Sequence, residues 1–400
     1  MKNMTIHPLQ PIALKSQTVN FQVAPPLSLY IHIPWCVRKC PYCDFNSHET
    51  RGTLPEKDYV AALTRDLLSA LPLVRERKVY SVFFGGGTPS LLSGEGIAEI
   101  LRQVRMLLPL TLDAEITLEA NPGTVEAARF SAYREAGVNR LSMGIQSFNE
   151  LHLRALGRIH TADEAKHAIQ IAQQHFDNIN LDLMYALPDQ TVEEALQDVK
   201  TALLFSPQHL SCYHLTLEPN TLFHCNPPSL PDDDTSADMQ QQIEALLAAQ
   251  GYQHYETSAF ALPDKRSRHN TNYSQFGDYL GIGAGAHSKL TFHDKVIRQV
   301  RYKQPLEYMQ QAAQGVPIQS ENEVTRNDLS FEFMMNALRL NAGFDSVLFQ
   351  ERTSLPLFAI RRELEEAERR GLLSRNHQRI APTPLGQRFL NDLLEIFIRE

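Results

Sequence analysis

The sequence lacks several features that would assign it to a common class of protein. No apolar run reaches the roughly 20 residues that span a bilayer, and the N-terminal segment MKNMTIHPLQPIALKSQ has neither the apolar core nor the cleavage site of a secretory signal. Acidic residues outnumber basic ones by 46 to 38, so the net charge of −8 offers no overall basic field to nucleic acid or anionic lipid. The five cysteines are odd in number and clustered, unlike a disulfide framework. We therefore expect a cytoplasmic protein with no nucleic-acid partner and at most peripheral membrane contact.

Short β-rich runs alternate with amphipathic helical patterns along the first half of the chain. The β-rich runs are 28–33, 79–84, 114–120, 140–145, 178–187 and 209–217, and the helical patterns are 58–71, 95–108, 125–136, 162–175 and 192–204. Repeated strand–helix–strand units favour parallel strands with right-handed connections. Six units fall short of the eight that close a barrel, so we expect an α/β fold in the form of a partial, open (β/α)6 barrel. A doubly wound sheet is the alternative.

The composition and pattern of the sequence change after residue 220, which predicts further domains. CNPPSLPDDD (225–234) is rich in proline and acid and is typical of a surface loop. We predict an N-terminal extension (1–26), a partial barrel (27–235), a flanking α/β segment (236–320) and a C-terminal helical, winged-helix-like domain (321–400). Winged-helix shapes often bind DNA, but the mixed charge of this last domain favours a structural or protein-contact role.

Three cysteines lie within eight positions of the first strand–loop segment, YIHIPWCVRKCPYCDF. Cys36, Cys40 and Cys43 form a C-x3-C-x2-C loop that can direct three thiolates to one point. A four-iron cluster takes four protein ligands, so three cysteines would leave one iron open to a small chelating ligand. The spacing therefore favours an iron–sulfur cluster.

Zinc is the competing metal for this loop, since three cysteines and one histidine form a known structural zinc set. His32 or His48 could supply the fourth ligand. Only one C-x2-C pair, Cys40 and Cys43, is present, however, and no second pair follows downstream. Cys212 and Cys225 stand alone on or after a later strand.

Unusual residues follow the other predicted strands at the same edge of the sheet, where parallel α/β barrels collect their reactive groups. GGGTPS (85–90) could hold an ammonium or carboxylate group with its backbone, although such a run also forms simple tight turns. Glu119 could accept from an amine or a ribose hydroxyl, Arg158 could bind a carboxylate, and Asp182 could bind sugar hydroxyls. Each of these polar groups, like Gln146, has the alternative of an internal salt bridge, a cap or a strand-end hydrogen bond.

YIHIPWC-x3-C-x2-C, GGGTPS and EANP together resemble the radical S-adenosylmethionine superfamily, and within it the anaerobic coproporphyrinogen III oxidase-like family. The resemblance covers nearly the whole chain. It implies a [4Fe–4S] cluster on Cys36, Cys40 and Cys43, with S-adenosylmethionine chelating the open iron. The implied S-adenosylmethionine contacts are Tyr30, Tyr42, Gly86, Gly87, Thr88, Glu119, Gln146, Arg158 and Asp182.

The resemblance also separates two branches of that family. The oxidases carry a fourth cysteine where this chain has Phe45, and they have a longer N-terminal segment before the first strand. CDFNSHE, LPDQT, LEPNTLF, YETSAFA and HN-x2-Y (269–273) are similar to the heme-chaperone branch. In that branch a tryptophan follows the tyrosine, giving HN-x2-Y-W, whereas this chain has Ser274 at that position. A contact that the indole makes with heme or the cofactor in the family would therefore be weakened here. The resemblance thus predicts a protein that binds S-adenosylmethionine but is not a coproporphyrinogen III oxidase.

Heme and acceptor apo-hemoproteins, respiratory-chain proteins among them, are the partners that the heme-chaperone branch implies. His269 is the leading axial ligand, because a neutral imidazole suits heme iron and the resemblance points to its segment. His287, in GIGAGAH, is the second candidate, and either histidine has the alternative of an ordinary loop residue. Two other functions stay open: a radical enzyme acting on coproporphyrinogen III or another substrate, and a zinc-stabilised scaffold.

Overall fold

The computed structural model describes residues 19–50, 52–124 and 127–398. Most of the predicted N-terminal extension, residues 1–18, lies outside the described residues, as do the first two residues of the predicted helix 125–136. Two separate apolar cores organise the described part: a large one under the main sheet and a smaller one in the C-terminal region. No helix among the described residues is long and apolar enough to cross a membrane.

Twelve strands of the described chain form one sheet. The first six are β1 Leu27–Ile33, β2 Val79–Gly86, β3 Leu110–Ala120, β4 Arg140–Gln146, β5 Ile179–Tyr185 and β6 His209–His214. The other six are β7 Gln253–Glu256, β8 Ala259–Ala261, β9 Asp278–Ile282, β10 His287–Thr291, β11 Val296–Arg301 and β12 Ile318–Glu323. Their order is β12-β11-β10-β9-β1-β2-β3-β4-β5-β6-β8-β7, with β1 to β6 parallel in sequence order. The predicted α/β fold with a partial, open barrel of parallel strands, called the half-barrel below, is confirmed. A doubly wound sheet would place strands of the first half on both sides of β1, and this alternative is not adopted.

The sheet extends beyond the six predicted units. Strand β9 adds to the free side of β1 in parallel, pairing Leu27 with Asp278 and Ile31 with Ile282. Strands β10 to β12 continue it as an antiparallel meander. The segment predicted to flank the barrel therefore completes the same sheet, and the predicted domain boundaries stay a prediction.

The helices that connect the parallel strands cover the outer face of the sheet, whereas the short helix Arg268–Ser274 borders the lumen with His269 and Tyr273. In chain order, the helices of this part of the chain are α1 Glu56–Val74, α2 Gly94–Leu107, α3 Ala127–Ala136, α4 Glu150–Ala155, α5 Ala162–His175, α6 Val192–Leu203, α7 Leu222–Cys225, α8 Asp233–Ala249, α9 Arg268–Ser274 and α10 Pro305–Ala313. Two of them begin at capping boxes, in which Thr161 and Glu164, or Thr191 and Glu194, satisfy each other's backbone amides. These caps fix where the crossover helices start and hence how the strands return.

Side chains alternate strictly along the parallel strands. Outward-facing residues such as Leu29, Ile31 and Leu118 are fully buried under the helices. The inward-facing neighbours Tyr30 and Glu119 instead line an internal cavity. Because successive side chains of a strand point to opposite faces, the half-barrel has an apolar outer surface and a largely polar lumen.

Several predicted strand ends differ from the structure, and the differences are largest at the start of β3 and the end of β6. Strand β3 begins at Leu110, before the predicted residue 114, because Val79 extends the pairing to Leu110. Strand β6 ends at His214, before the predicted residue 217. Its partner β5 ends at Tyr185, and Ala186 then turns away with a φ of +56°. The last residues of the predicted run 209–217 therefore have no neighbouring strand residues with which to pair.

The C-terminal region combines short helices with a small sheet. The helices are α11 Arg326–Ala337, α12 Ser346–Thr353, α13 Arg361–Arg369, α14 Pro384–Arg388 and α15 Leu390–Glu395. A strand pair forms between Leu373–Arg375 and Arg379–Pro382, and the two-residue strand Phe344–Asp345 joins it. The predicted helical, winged-helix-like character is thus confirmed. Its core also takes in Phe21 from the N-terminal segment.

Candidate functional site

The three clustered cysteines lie on a loop that folds back on itself at the carboxyl end of β1. Residues Trp35–Cys36 pair with His48–Glu49 at the neck of the loop, and the Cys43 amide donates to the Cys40 carbonyl at 3.2 Å within it. All three thiols line one cavity of 290 Å³. Partial burial raises the pKa of the Cys36 and Cys43 thiols, which disfavours free thiolates unless a metal centre stabilises them.

The arrangement of donors does not suit a single zinc ion. Among the described residues, no three His, Cys, Asp or Glu side chains come close enough to hold one metal ion. His32 has both ring nitrogens engaged, Nδ1 with the Tyr30 hydroxyl at 3.0 Å and Nε2 with the Asn46 carbonyl at 2.8 Å. His48 lines the adjoining larger cavity instead. Three cysteines that line one cavity without a fourth ligand fit a larger centre that keeps one position open.

The glycine run packs β2 directly against the cysteine loop. The Gly87 amide donates to the Ile33 carbonyl and the Thr88 amide to the Trp35 carbonyl, both at 2.7 Å. A Cβ on Gly87 would lie 2.5 Å from the Trp35 carbonyl oxygen, and Gly86 adopts a φ of +114° that strains any other residue. These glycines are therefore required by the close approach of two backbone segments that form one wall of the site.

Two buried carboxyl groups face the same space. Burial, and secondarily the charge of Asp182, raises the pKa of Glu119 to about 8. Burial also raises the pKa of Asp182. Asp182 accepts hydrogen bonds from Ser142 Oγ at 2.9 Å and Asn180 Nδ2 at 2.8 Å, which fix its orientation. A cationic or hydroxyl-bearing ligand would relieve the cost of holding these acids away from water.

Arg158 connects the acid side of the site to the cysteines. Its Nη2 donates to the Gly144 carbonyl at 2.7 Å, and its Nη1 lies 3.6 Å from Cys40 Sγ. Its buried Nε has no hydrogen-bond partner among the described residues. Gln146 ends β4 with a φ of +67°, turning the chain beside this guanidinium. The unpartnered donor suits the carboxylate of a small ligand.

The 290 Å³ cavity brings together nearly all residues that the sequence predicted for S-adenosylmethionine. It is lined by the three cysteines and by Tyr42, Gly86, Gly87, Thr88, Glu119, Gln146, Arg158 and Asp182. Tyr30 is the exception, since it lines the larger cavity.

A second, larger cavity of 770 Å³ occupies the lumen of the half-barrel and adjoins the first. Glu119 and Asp182 line both spaces, as do Gly86, Cys43 and Phe45. Phe45, which stands where the oxidases have a fourth cysteine, is 60% exposed. A ligand in the lumen would therefore lie next to one in the smaller cavity.

The two candidate heme ligands lie at different depths of this lumen. His269 is 2% exposed and stacks on Phe83 at a centroid distance of 4.8 Å, whereas His287 is exposed. Burial lowers the pKa of His269 to about 3, so its imidazole is neutral. Ser274 is buried but is not among the residues that line the cavity, whereas the preceding Tyr273 is. The Ser274 side chain therefore does not form part of the lumen wall in this chain.

Sequence reasoning missed the polar side chains of the lumen itself. Arg140, Ser142, Asn180 and Ser211 line the large cavity from β4, β5 and β6. The available signal was the alternation within each strand, for example Arg140, Ser142 and Gly144 between apolar residues in RLSMGI. Buried parallel strands usually read as continuous apolar runs, so polar residues at every second position indicated a solvated or ligand-filled interior.

The half-barrel, the three-cysteine loop and the glycine wall define a radical SAM protein. Residues 30–202 match the model of the radical SAM superfamily, and residues 324–389 match that of the HemN C-terminal domain. The heme chaperone HemW of Escherichia coli is 51% identical over 94% of this chain and 99% of its own length, and that of Haemophilus influenzae is 48% identical over the same shares. The chain belongs to the HemW family of radical SAM proteins.

A solved structure extends the likeness to the whole fold. Coproporphyrinogen III oxidase (HemN) from Escherichia coli, a radical SAM enzyme, superposes with a TM-score of 0.79 at 27% identity, covering 94% of this chain and 90% of that one. A mitochondrial relative, radical S-adenosyl methionine domain-containing protein 1 of Bos taurus, is 34% identical over 92% of this chain. The C-terminal region is part of the shared architecture.

Proposed function

We propose that this protein is a cytoplasmic heme chaperone that binds a [4Fe–4S] cluster, S-adenosylmethionine and heme, and delivers heme to acceptor hemoproteins. Cys36, Cys40 and Cys43 would hold the cluster. S-adenosylmethionine, which supplies radical chemistry when bound to such a cluster, would occupy the 290 Å³ cavity, with its amino group at Glu119 and its carboxylate at Arg158. Both cavities fall within or near the usual size range of small-molecule sites.

The observation that carries the heme assignment is the state of His269 in the lumen. Ser81 donates to Ser28 Oγ at 2.8 Å, which leaves Ser81 Oγ to accept from His269 Nδ1 at 3.0 Å. An imidazole protonated at Nδ1 presents the lone pair of Nε2, and His269 Nε2 is buried without a partner among the described residues. A neutral nitrogen ligand on a residue of the wall of a large cavity suits heme iron.

The test is a heme titration of the full-length protein, reconstituted with iron and sulfide under anaerobic conditions. We expect His269→Ala to lower heme affinity at least tenfold and to alter the iron absorption spectrum, with added imidazole restoring the wild-type spectrum. His167→Ala, which changes an exposed helical histidine, is the matched control. An unchanged spectrum in His269→Ala would remove His269 as the ligand, and the same assay on His287→Ala would then test the second candidate.

Coproporphyrinogen III turnover by the same preparation tests the alternative of a tetrapyrrole oxidoreductase. The likeness to HemN favours that alternative at the level of fold. Phe45, in the place of the oxidases' fourth cysteine, supports the chaperone. Transfer of bound heme to an apo-hemoprotein without decarboxylation of coproporphyrinogen is the expected result, and robust decarboxylation would overturn the chaperone assignment.

A further inference from the structure

A row of four residues crosses the lumen at one level of the sheet. The strand register pairs Tyr30 with Phe83, Phe83 with Thr117, and Thr117 with Arg140. All four belong to the inward-facing set, because they alternate with the apolar residues that face the helices. His269 lies at the same level, since its ring stacks on Phe83. The row therefore joins the candidate heme ligand to Arg140 on the opposite wall.

Arg140 is a buried cation without an ion-pair partner among the described residues. It is 2% exposed and lines the 770 Å³ cavity, its Nε has no hydrogen-bond partner, and it forms no ion pair with any described carboxylate. Thr117 beside it is fully buried, and its Oγ1 also has no partner. A buried charge is normally paired, so this guanidinium indicates an anionic ligand.

The acids of the lumen are committed elsewhere. Glu119 pairs in register with Ser142, two residues beyond Arg140 towards the smaller cavity, a displacement of about 7 Å along the strand. Glu115 accepts from the backbone amides of Arg268 and His269, both at 3.1 Å. Asp182 in turn accepts from Ser142 Oγ and Asn180 Nδ2. The charge of Arg140 lowers the pKa of Glu119 and Asp182, but none of these three carboxylates forms an ion pair with it.

The wall that faces Arg140 is aromatic. His269 follows Phe83 and lies 5.1 Å from Tyr273, which lies 4.2 Å from Tyr279, all as ring-centroid distances. These rings line the cavity, and a flat apolar ligand can pack against them. Two strand spacings, about 9.6 Å, separate the Phe83 and Arg140 backbones, a span that a macrocycle with acidic side chains can bridge.

We propose that Arg140, assisted by Thr117, forms a carboxylate subsite at the floor of the lumen that holds an acidic side chain of the tetrapyrrole. The proposal rests on the proposed function, because it assigns the part of the ligand that this wall recognises. Heme carries two propionates, so one of them pairs with the guanidinium while the macrocycle lies against the aromatic wall and its iron faces His269. Arg140 is then a specificity-determining residue for acidic tetrapyrroles.

The test compares heme with heme dimethyl ester, in which both carboxylates are blocked, and iron-free protoporphyrin IX with its own diester. Wild-type protein should bind each acid more tightly than its ester. Arg140→Gln should weaken binding of the acids by roughly 10- to 150-fold, the range expected for a hydrogen bond to a charged group, while changing ester binding less than threefold. Arg140→Lys should lose part of the preference, and Arg65→Gln, at an exposed arginine, should lose none.

A ligand-free readout separates recognition from a structural role. Arg140→Gln removes an unpaired buried charge, so the empty variant should melt at the same or a higher temperature than wild type. Equal weakening of acid and ester, equal binding of both by wild type, or a strongly lowered melting temperature would overturn the subsite. If wild-type protein binds neither the acids nor the esters, both the proposed heme-chaperone function and the carboxylate subsite at Arg140 would be overturned.

Discussion

The pKa of Glu119 leads to a sharp prediction for the pH dependence of stability. In the empty site this carboxyl group is protonated near neutral pH, since its pKa is raised from 4.5 to about 8. In the unfolded chain it ionises near its ordinary value. Because the folded state holds the proton more tightly, folding loses stability as the pH rises from about 4.5 to 8. Glu119→Gln keeps the neutral shape and removes this loss.

The magnitude follows from the pKa difference. Each pH unit between the two values costs about 1.4 kcal/mol, so the advantage of Glu119→Gln over wild type should grow by about 3 to 4 kcal/mol between pH 5 and pH 8. The charges that influence Glu119 act on both proteins. They are Asp182, which raises the Glu119 pKa, and Arg140, which lowers it.

Urea denaturation of the cofactor-free protein at pH 5, 6, 7 and 8 measures this effect. Glu307→Gln, which changes an exposed glutamate in α10, is the control and should track wild type at every pH. A stability difference between Glu119→Gln and wild type that does not change with pH would refute the assignment of a protonated Glu119.

Three further predictions concern the same walls. S-adenosylmethionine affinity should rise between pH 6 and 8, because an ammonium group favours the ionised form of Glu119. Isothermal titration in two buffers of different ionisation enthalpy should detect the release of a proton on binding. Binding without proton release would count against the contact with Glu119. Gly87→Ala should lower stability by roughly 1 to 3 kcal/mol and abolish cofactor binding, because its Cβ would meet the Trp35 carbonyl; normal binding with an unchanged melting curve would contradict the packing argument. Ser81→Ala should weaken the heme–iron bond by releasing His269 Nδ1, which the iron absorption spectrum of the variant measures.

The parallel half-barrel could be predicted from sequence because its signals are local. Each strand is a β-rich run bounded by a helical pattern, and right-handed crossovers leave few ways to connect them. Strand β9 was missed because its pairing partner, β1, lies some 250 residues away in the chain. No local pattern states which edge of a sheet a distant segment will join.

The candidate site divides in a similar way. The cysteines and the strand-end residues were predicted because topology gathers the ends of parallel strands at one edge. Tyr30 was predicted as an S-adenosylmethionine contact, and its position within β1 places it in the lining of the larger cavity. Whether two adjoining cavities are separate depends on how side chains from several neighbouring strands fill the space between them. The order of residues along one strand does not predict this filling.

The polar lumen has a consequence for how binding and folding are coupled. Arg140, His269, Arg158 and Thr117 each keep a buried polar atom without a partner among the described residues, and Glu119 is held neutral against its ordinary pKa. Groups of this kind cost stability in the empty protein, and the apolar outer face of the same strands must offset that cost. Ligands that satisfy these groups bind only the folded chain and therefore stabilise it by mass action. Because Glu119 and Asp182 border both cavities, a ligand in one cavity would change the charge that a ligand in the other cavity meets. We therefore expect the occupancy of the two cavities to be coupled through these shared acids.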